Sequence, residues 1–122
     1  MIRTLGLNHI NLNVRDIRRS LDFYQAAFGL EVRFWEGEKM VFVGSEGAND
    51  LITLHEVPAD EPVAGGGVSH FGFRFDRHAS MDEIVMQIER AGGTLRNRGH
   101  HGSDQPFAYF LDPDGYLIEI GT

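Results

Sequence analysis

Residues 7–14 read LNHINLNV, and residues 68–75 read VSHFGFRF. Laid over one another they match Leu7 with Val68, His9 with His70, Ile10 with Phe71, Leu12 with Phe73 and Val14 with Phe75, at an offset of 61 in a chain of 122 residues. After each histidine the side chains alternate. Ile10, Leu12 and Val14, like Phe71, Phe73 and Phe75, form an apolar face suited to covering a helix. His9, Asn11 and Asn13, like His70, Gly72 and Arg74, fall on the opposite, polar face. The chain is thus a tandem repeat whose two copies each open with a strand.

Each strand leads into a helix. Asp16 or Ser20 opens a helix through LDFYQAAF that stops at Gly29, and Ser80-Met81-Asp82-Glu83 is a capping-box pattern before IVMQIERA and Gly92-Gly93. Short strands follow near 30–36, 39–44 and 50–57 in the first half and near 94–98, 106–111 and 116–121 in the second. Turns at Gly44-Ser45-Glu46-Gly47 and Asp112-Pro113-Asp114-Gly115 punctuate them. Each half therefore reads βαβββ. Residues 59–67, ADEPVAGGG, form a connector rich in Pro, Gly and acid, with no change of composition across it. The expected chain is α+β and forms one domain over residues 1–122. Module 1 spans about 1–58 and module 2 about 68–122, and the two share one sheet assembly.

Composition removes several function classes. There is no cysteine, so thiolate metal sites, Cys nucleophiles and disulfides are excluded, and a reducing compartment is compatible with the chain. A formal charge of −7, with Lys39 the only lysine, argues against binding nucleic acid through its phosphates. The N-terminus has no apolar signal-peptide core, and no apolar run approaches the roughly 20 residues of a membrane span. A soluble, cytoplasmic protein with neither nucleic acid nor membrane as partner is the expectation.

The second module ends in FAYFLDPDGYLIEI, residues 107–120, where Glu119 interrupts an apolar strand and shares a face with Leu117. A lone acid in a short strand is usually its solvent side. The repeat supplies partners, because His9 and His70 occupy equivalent positions and a closing sheet could bring two imidazoles and this carboxylate together. That set has the composition of a facial triad for a divalent metal with open positions. Each histidine taken alone fits equally a hydrogen-bonded core or rim residue. His55, in DLITLHE, shares a face with Leu51 and Thr53 and is a candidate to stand beside such a site. His101 lies in the Gly-rich stretch GHHGSD, where solvated loop and function are evenly matched. His78 and His100 read as surface residues, and Asn13 and Arg74 face the triad side.

The NHI opening, the SLDFYQAAFGLEV helix and following strand, GGGVSHFGFRF and DPDGYLIEI together resemble the vicinal oxygen chelate superfamily over essentially the whole chain. That superfamily includes glyoxalase I, fosfomycin-resistance transferases, bleomycin-binding proteins and extradiol ring-cleaving dioxygenases. The resemblance implies the glyoxalase/dioxygenase-like fold, with paired βαβββ modules forming an open, cup-shaped mixed sheet and helices packed outside. It also implies a metal held by His9, His70 and Glu119.

Within the superfamily the glyoxalase-like members carry a fourth ligand where this chain has Thr53 and an Arg where it has Asn13. Fosfomycin transferases share the His, His, Glu set but use cationic residues beyond the last ligand, where this sequence ends at Thr122. Bleomycin-binding relatives lack the ligands. The order His101, Tyr109, Asp112-Pro113-Asp114-Gly115, Glu119 resembles the extradiol signature, with Ala108 smaller than the residue usual before the Tyr, and His55 stands where that branch has an acid/base His.

The function implied is an Fe(II) extradiol-type dioxygenase, an oxidoreductase cleaving a catechol-like aromatic diol with O₂. His55, His101 and Tyr109 would be catalytic, and Mn(II), Ni(II) or Zn(II) are the alternative metals. A glyoxalase-like lyase or isomerase or a thiol transferase is the alternative function, and a small-molecule-binding resistance protein without turnover is the second. Open sheet edges lead to the expectation of a homodimer.

Overall fold

The computed structural model describes residues 1–76 and 78–121. Element order follows the repeat: β1 (Ile10–Val14), α1 (Ile17–Phe28), β2 (Glu31–Glu36), β3 (Met40–Gly44) and β4 (Ile52–Glu56), then β5 (Phe71–Arg74), α2 (Met81–Arg90), β6 (Thr94–His101), β7 (Gln105–Leu111) and β8 (Leu117–Gly121). The α+β architecture is the expected one, and its sheet assembly consists of two mixed four-stranded sheets, ordered β1-β4-β3-β2 and β5-β8-β7-β6. In each, the first strand crosses over its helix and pairs in parallel with the last, leaving β1 and β5 as edges. The repeat extends to irregularities, with a register shift between Val32 and Phe34 in β2 and another between Leu95 and Asn97 in β6.

Local chemistry sets the helix limits. Asp16, one of the two residues expected to open α1, caps it by accepting the Arg19 amide at 3.0 Å, and Gly29 ends it in the left-handed region at φ 64°. Ser20 lies inside the helix, where it is buried. The capping box of α2 forms as expected: Ser80 Oγ accepts from the Glu83 amide at 3.2 Å, and Glu83 accepts from the Ser80 amide at 3.0 Å.

The two modules share one apolar core, in which Leu12, Val14, Phe23 and Tyr24 meet Ile88, Phe110, Ile118 and Ile120. The Asp112–Gly115 turn clamps the second module to the first. Asp112 Oδ1 accepts the amides of Asp114, Gly115 and Tyr116 at 2.9–3.0 Å, while Oδ2 accepts from the Tyr24 hydroxyl at 2.7 Å. Asp114 accepts from the Arg15 amide, from Arg19 and from Ser20 Oγ, and the Tyr116 hydroxyl donates to the Asn13 carbonyl at 2.7 Å. Burial raises the Asp112 carboxyl above its ordinary range, opposed by these hydrogen bonds. No helix of the described residues is long and apolar enough to cross a membrane.

Candidate functional site

Parallel pairing of β5 with β8 places Gly72 opposite Glu119, and antiparallel pairing of β7 with β8 places Tyr109 on the other side of Glu119. His70, just before β5, shares the face of Gly72 by alternation. Its Nε2 stands 3.2 Å from Glu119 Oε2, and its ring meets Tyr109 edge-on at 5.2 Å between centroids. His101 Nε2 lies 3.7 Å from Glu119 Oε1 and its ring stacks on Phe107 at 4.4 Å. Desolvation first, and then the charge of Glu119, raises the Tyr109 phenol above its ordinary value, so this hydroxyl stays a hydrogen-bond donor.

Four of the six expected site residues thus converge on one sheet: His70, Glu119, Tyr109 and His101. The last is not the loop residue its Gly-rich surroundings suggested. It ends β6, in register with Gln105 of β7, because the antiparallel ladder continues past Gly99. Phe107, which the sequence reading passed over, supplies the stacking surface; its alternation with Tyr109 along β7 was the available signal.

Neither His9 nor His55 makes a hydrogen bond or ion pair with Glu119, although His9 borders a depression of about 210 Å³ together with Phe71, Gly72 and Phe73. His9 is exposed at the entry to β1, with Nδ1 2.6 Å from Asn8 Oδ1 and its ring 6.4 Å from that of Phe42. His55 lies in the first sheet, in register with Asn13 and Met40, and no hydrogen bond or ion pair links it to Glu119. Among the described residues no three His, Asp or Glu side chains are grouped closely enough to hold an ion. Of the three residues expected to form a triad, His70 and Glu119 are in contact and His9 makes no hydrogen bond or ion pair with either.

The repeat also shows what stands in place of the carboxylate in the first module. Asn11 pairs with Thr53 as Gly72 pairs with Glu119, and Phe42 pairs with Thr53 as Tyr109 pairs with Glu119. Thr53 is 1% exposed and its hydroxyl has no hydrogen-bond partner. A hydroxyl is a poor donor to a divalent ion beside imidazole and carboxylate, so the first sheet has no counterpart to Glu119. Glu56 is engaged differently: it accepts the Ile17 amide at 2.9 Å and pairs with Lys39, which together lower its carboxyl below the ordinary range.

Comparison with known proteins bears on the family and the fold. The model of the glyoxalase/bleomycin resistance protein/dioxygenase superfamily matches residues 6–120. Lactoylglutathione lyase of Shigella flexneri is 30% identical over 95% of this chain and 91% of its own length. Metallothiol transferase FosB of Staphylococcus epidermidis is 27% identical over 96% and 83%. A crystal structure of a variant of the fosfomycin resistance protein FosX of Listeria monocytogenes, complexed with Mn(II) and dihydroxypropylphosphonic acid, superposes with a TM-score of 0.76. Its sequence identity is 25%, covering 97% of this chain and 90% of that one.

Proposed function

The chain belongs to the glyoxalase/bleomycin resistance protein/dioxygenase superfamily, and from that premise we propose that it is a divalent-metal-dependent enzyme of the thiol transferase type. Its substrate would be a small molecule held through two neighbouring oxygens. The contact between His70 and Glu119, with Thr53 in the equivalent place of the first module, carries this reading. A bound divalent ion supplies Lewis-acid polarisation of a substrate oxygen. With Thr53 where glyoxalase-like members have a ligand, and Asn13 where they have an Arg, the set that remains is the His, His, Glu that the fosfomycin-resistance branch shares; the transferase relative at 27% identity favours that branch. The named relatives are a lyase, a transferase and a fosfomycin resistance protein; Fe(II), a catechol and O₂ are accordingly not part of the proposal.

The third donor is assigned to His9 of a second copy. Leu7 and Val68, equivalent in the repeat, are 81% and 76% exposed beside β1 and β5, one edge strand of each sheet, and Met1, Ile2 and Leu5 are exposed as well. A homodimer that lays β1 of one copy along β5 of the other covers these residues and both edges, and it brings each His9 toward the other copy's His70 and Glu119. His55, on the face of β4 shared with Thr53, then lines the opposite wall.

In the transfer step a sulfur–carbon bond forms at the substrate's electrophilic carbon, the carbon–oxygen bond breaks, and the released oxygen takes the proton given up by the thiol. Tyr109 donates a hydrogen bond to a substrate oxygen, and His101, held flat on Phe107, moves the proton.

A metal-loaded sample offered fosfomycin with a panel of thiols, the hemithioacetal of methylglyoxal and glutathione, and catechols under an O₂ electrode tests the assignment. Metal-dependent loss of fosfomycin with thiol is the expected result. Turnover of the hemithioacetal alone would move the protein to the lyase reading, which the 30% identity to lactoylglutathione lyase favours. O₂ uptake with a catechol would overturn both.

A further inference from the structure

Arg74 closes β5 opposite Gly121 of β8, and alternation puts it on the face of Gly72 and Glu119. Gly72 is glycine by necessity: a Cβ there would stand 2.7 Å from the Glu119 carbonyl oxygen and 3.2 Å from its Cβ. Between Glu119 and Arg74 the floor is therefore bare backbone. It forms a depression of about 210 Å³ lined by Gly72, Phe73, Arg74, Glu119 and Gly121. Arg15, Arg19, Arg33 and Arg98 each engage a carbonyl or carboxylate. Arg74, like Arg3, Arg18, Arg90 and Arg96, has no such acceptor among the described residues, but it alone of these borders the depression with Glu119, whose oxygens lie toward His70 and His101.

We propose that this depression is an oxyanion subsite, in which the Arg74 guanidinium receives the carboxylate, phosphonate or phosphate tail of the substrate. A guanidinium matches a planar or tetrahedral oxyanion through two parallel N–H donors, and an unpaired one beside a carboxylate-bearing site in a chain of charge −7 selects anions against the field of the rest of the protein. Two residues of strand separate the Gly72–Glu119 row from the Arg74–Gly121 row, about 7 Å. The tail must then lie within a few bonds of the substrate's paired oxygens, which defines a small anion and disfavours a neutral aromatic diol. This inference rests on reading Glu119 as part of the substrate site.

The test titrates the metal-free full chain, labelled with ¹⁵N, with methylphosphonate and separately with acetate, and measures Mn(II) binding to the same samples by electron paramagnetic resonance. Saturable shifts of the Gly72, Arg74 and Gly121 amides are expected. The stronger of the two ligands identifies the tail chemistry. Arg74→Gln weakens that binding by roughly tenfold or more, the scale of a lost charge-assisted hydrogen bond, and Arg74→Lys by less, with Mn(II) affinity unchanged in both. Wild-type amides that do not move, or an Arg74→Gln variant that titrates like wild type, would overturn the subsite. Absence of Mn(II) binding with the anion shifts intact would instead overturn the metal assignment and leave the subsite standing.

Discussion

His70 and Glu119 stand 3.2 Å apart, Nε2 to Oε2, although they lie 49 positions apart in the chain. The contact exists because β8 returns to lie parallel to β5, and it defines what removal of either partner should do. Glu119→Ala removes the only carboxylate of the pair. Its Mn(II) affinity should fall by more than the roughly 10–100-fold that loss of an outer-sphere partner costs, whereas His101→Ala should stay within that range. Isothermal titration of both variants checks this; full metal occupancy in Glu119→Ala would sink the assignment.

Sharing of the site between copies has a mixing test. His9→Ala and Glu119→Ala homodimers should each lack the site, whereas a co-refolded mixture should recover one intact site in the heterodimer. A sedimentation mass of one chain, 13.7 kDa, at micromolar concentration, or mixtures that bind no more metal than the parents, would place the third donor elsewhere.

Gly72→Ala should act on both stability and metal binding. Its Cβ, 2.7 Å from a backbone oxygen of β8, can be accommodated only by moving β5 away from β8, which costs about 1–3 kcal/mol and separates His70 from Glu119. Denaturant unfolding with and without Mn(II) reads the two effects; an unchanged midpoint and unchanged affinity would contradict the close approach.

Asp112 and Glu56 should titrate with opposite signs. Burial holds the Asp112 carboxyl above its unfolded value, so the folded chain keeps that proton longer and stability from this group declines as pH rises through the raised value. The Ile17 amide and then Lys39 hold Glu56 below its unfolded value, so its contribution is present above the ordinary carboxylate range and is lost as pH falls through the lowered one. In thermal melts between about pH 3 and pH 7, Asp112→Asn should lose the decline toward neutral pH and Glu56→Gln the decline toward acid. Identical pH profiles for wild type and variants would refute the assignments.

Tyr24→Phe leaves Asp112 Oδ2 without its donor in a buried clamp between the modules. The expected cost is about 1–3 kcal/mol, measured by urea unfolding. A change within a few tenths of a kcal/mol would show that the clamp is satisfied in another way.

The sequence by itself determined the repeat and the elements, since helix caps at Asp16 and Ser80 and alternation along LNHINLNV and VSHFGFRF are local properties of a few neighbouring residues. The pairing registers, and not the 61-residue offset of the repeat, put Thr53 in the first module where Glu119 stands in the second. Only the tertiary structure decided that each first strand skips past its own helix to pair in parallel with the last strand, that the chain builds two sheets, and that Asp112 and Asp114 reach α1 across the modules. It likewise decided that His101 belongs to a strand and that His9 stands apart from the pair its repeat partner joins. Those outcomes depend on which edges find each other over tens of residues. Side-chain alternation is the same for every register of even shift, so the pattern that fixes a strand's faces leaves its partner open.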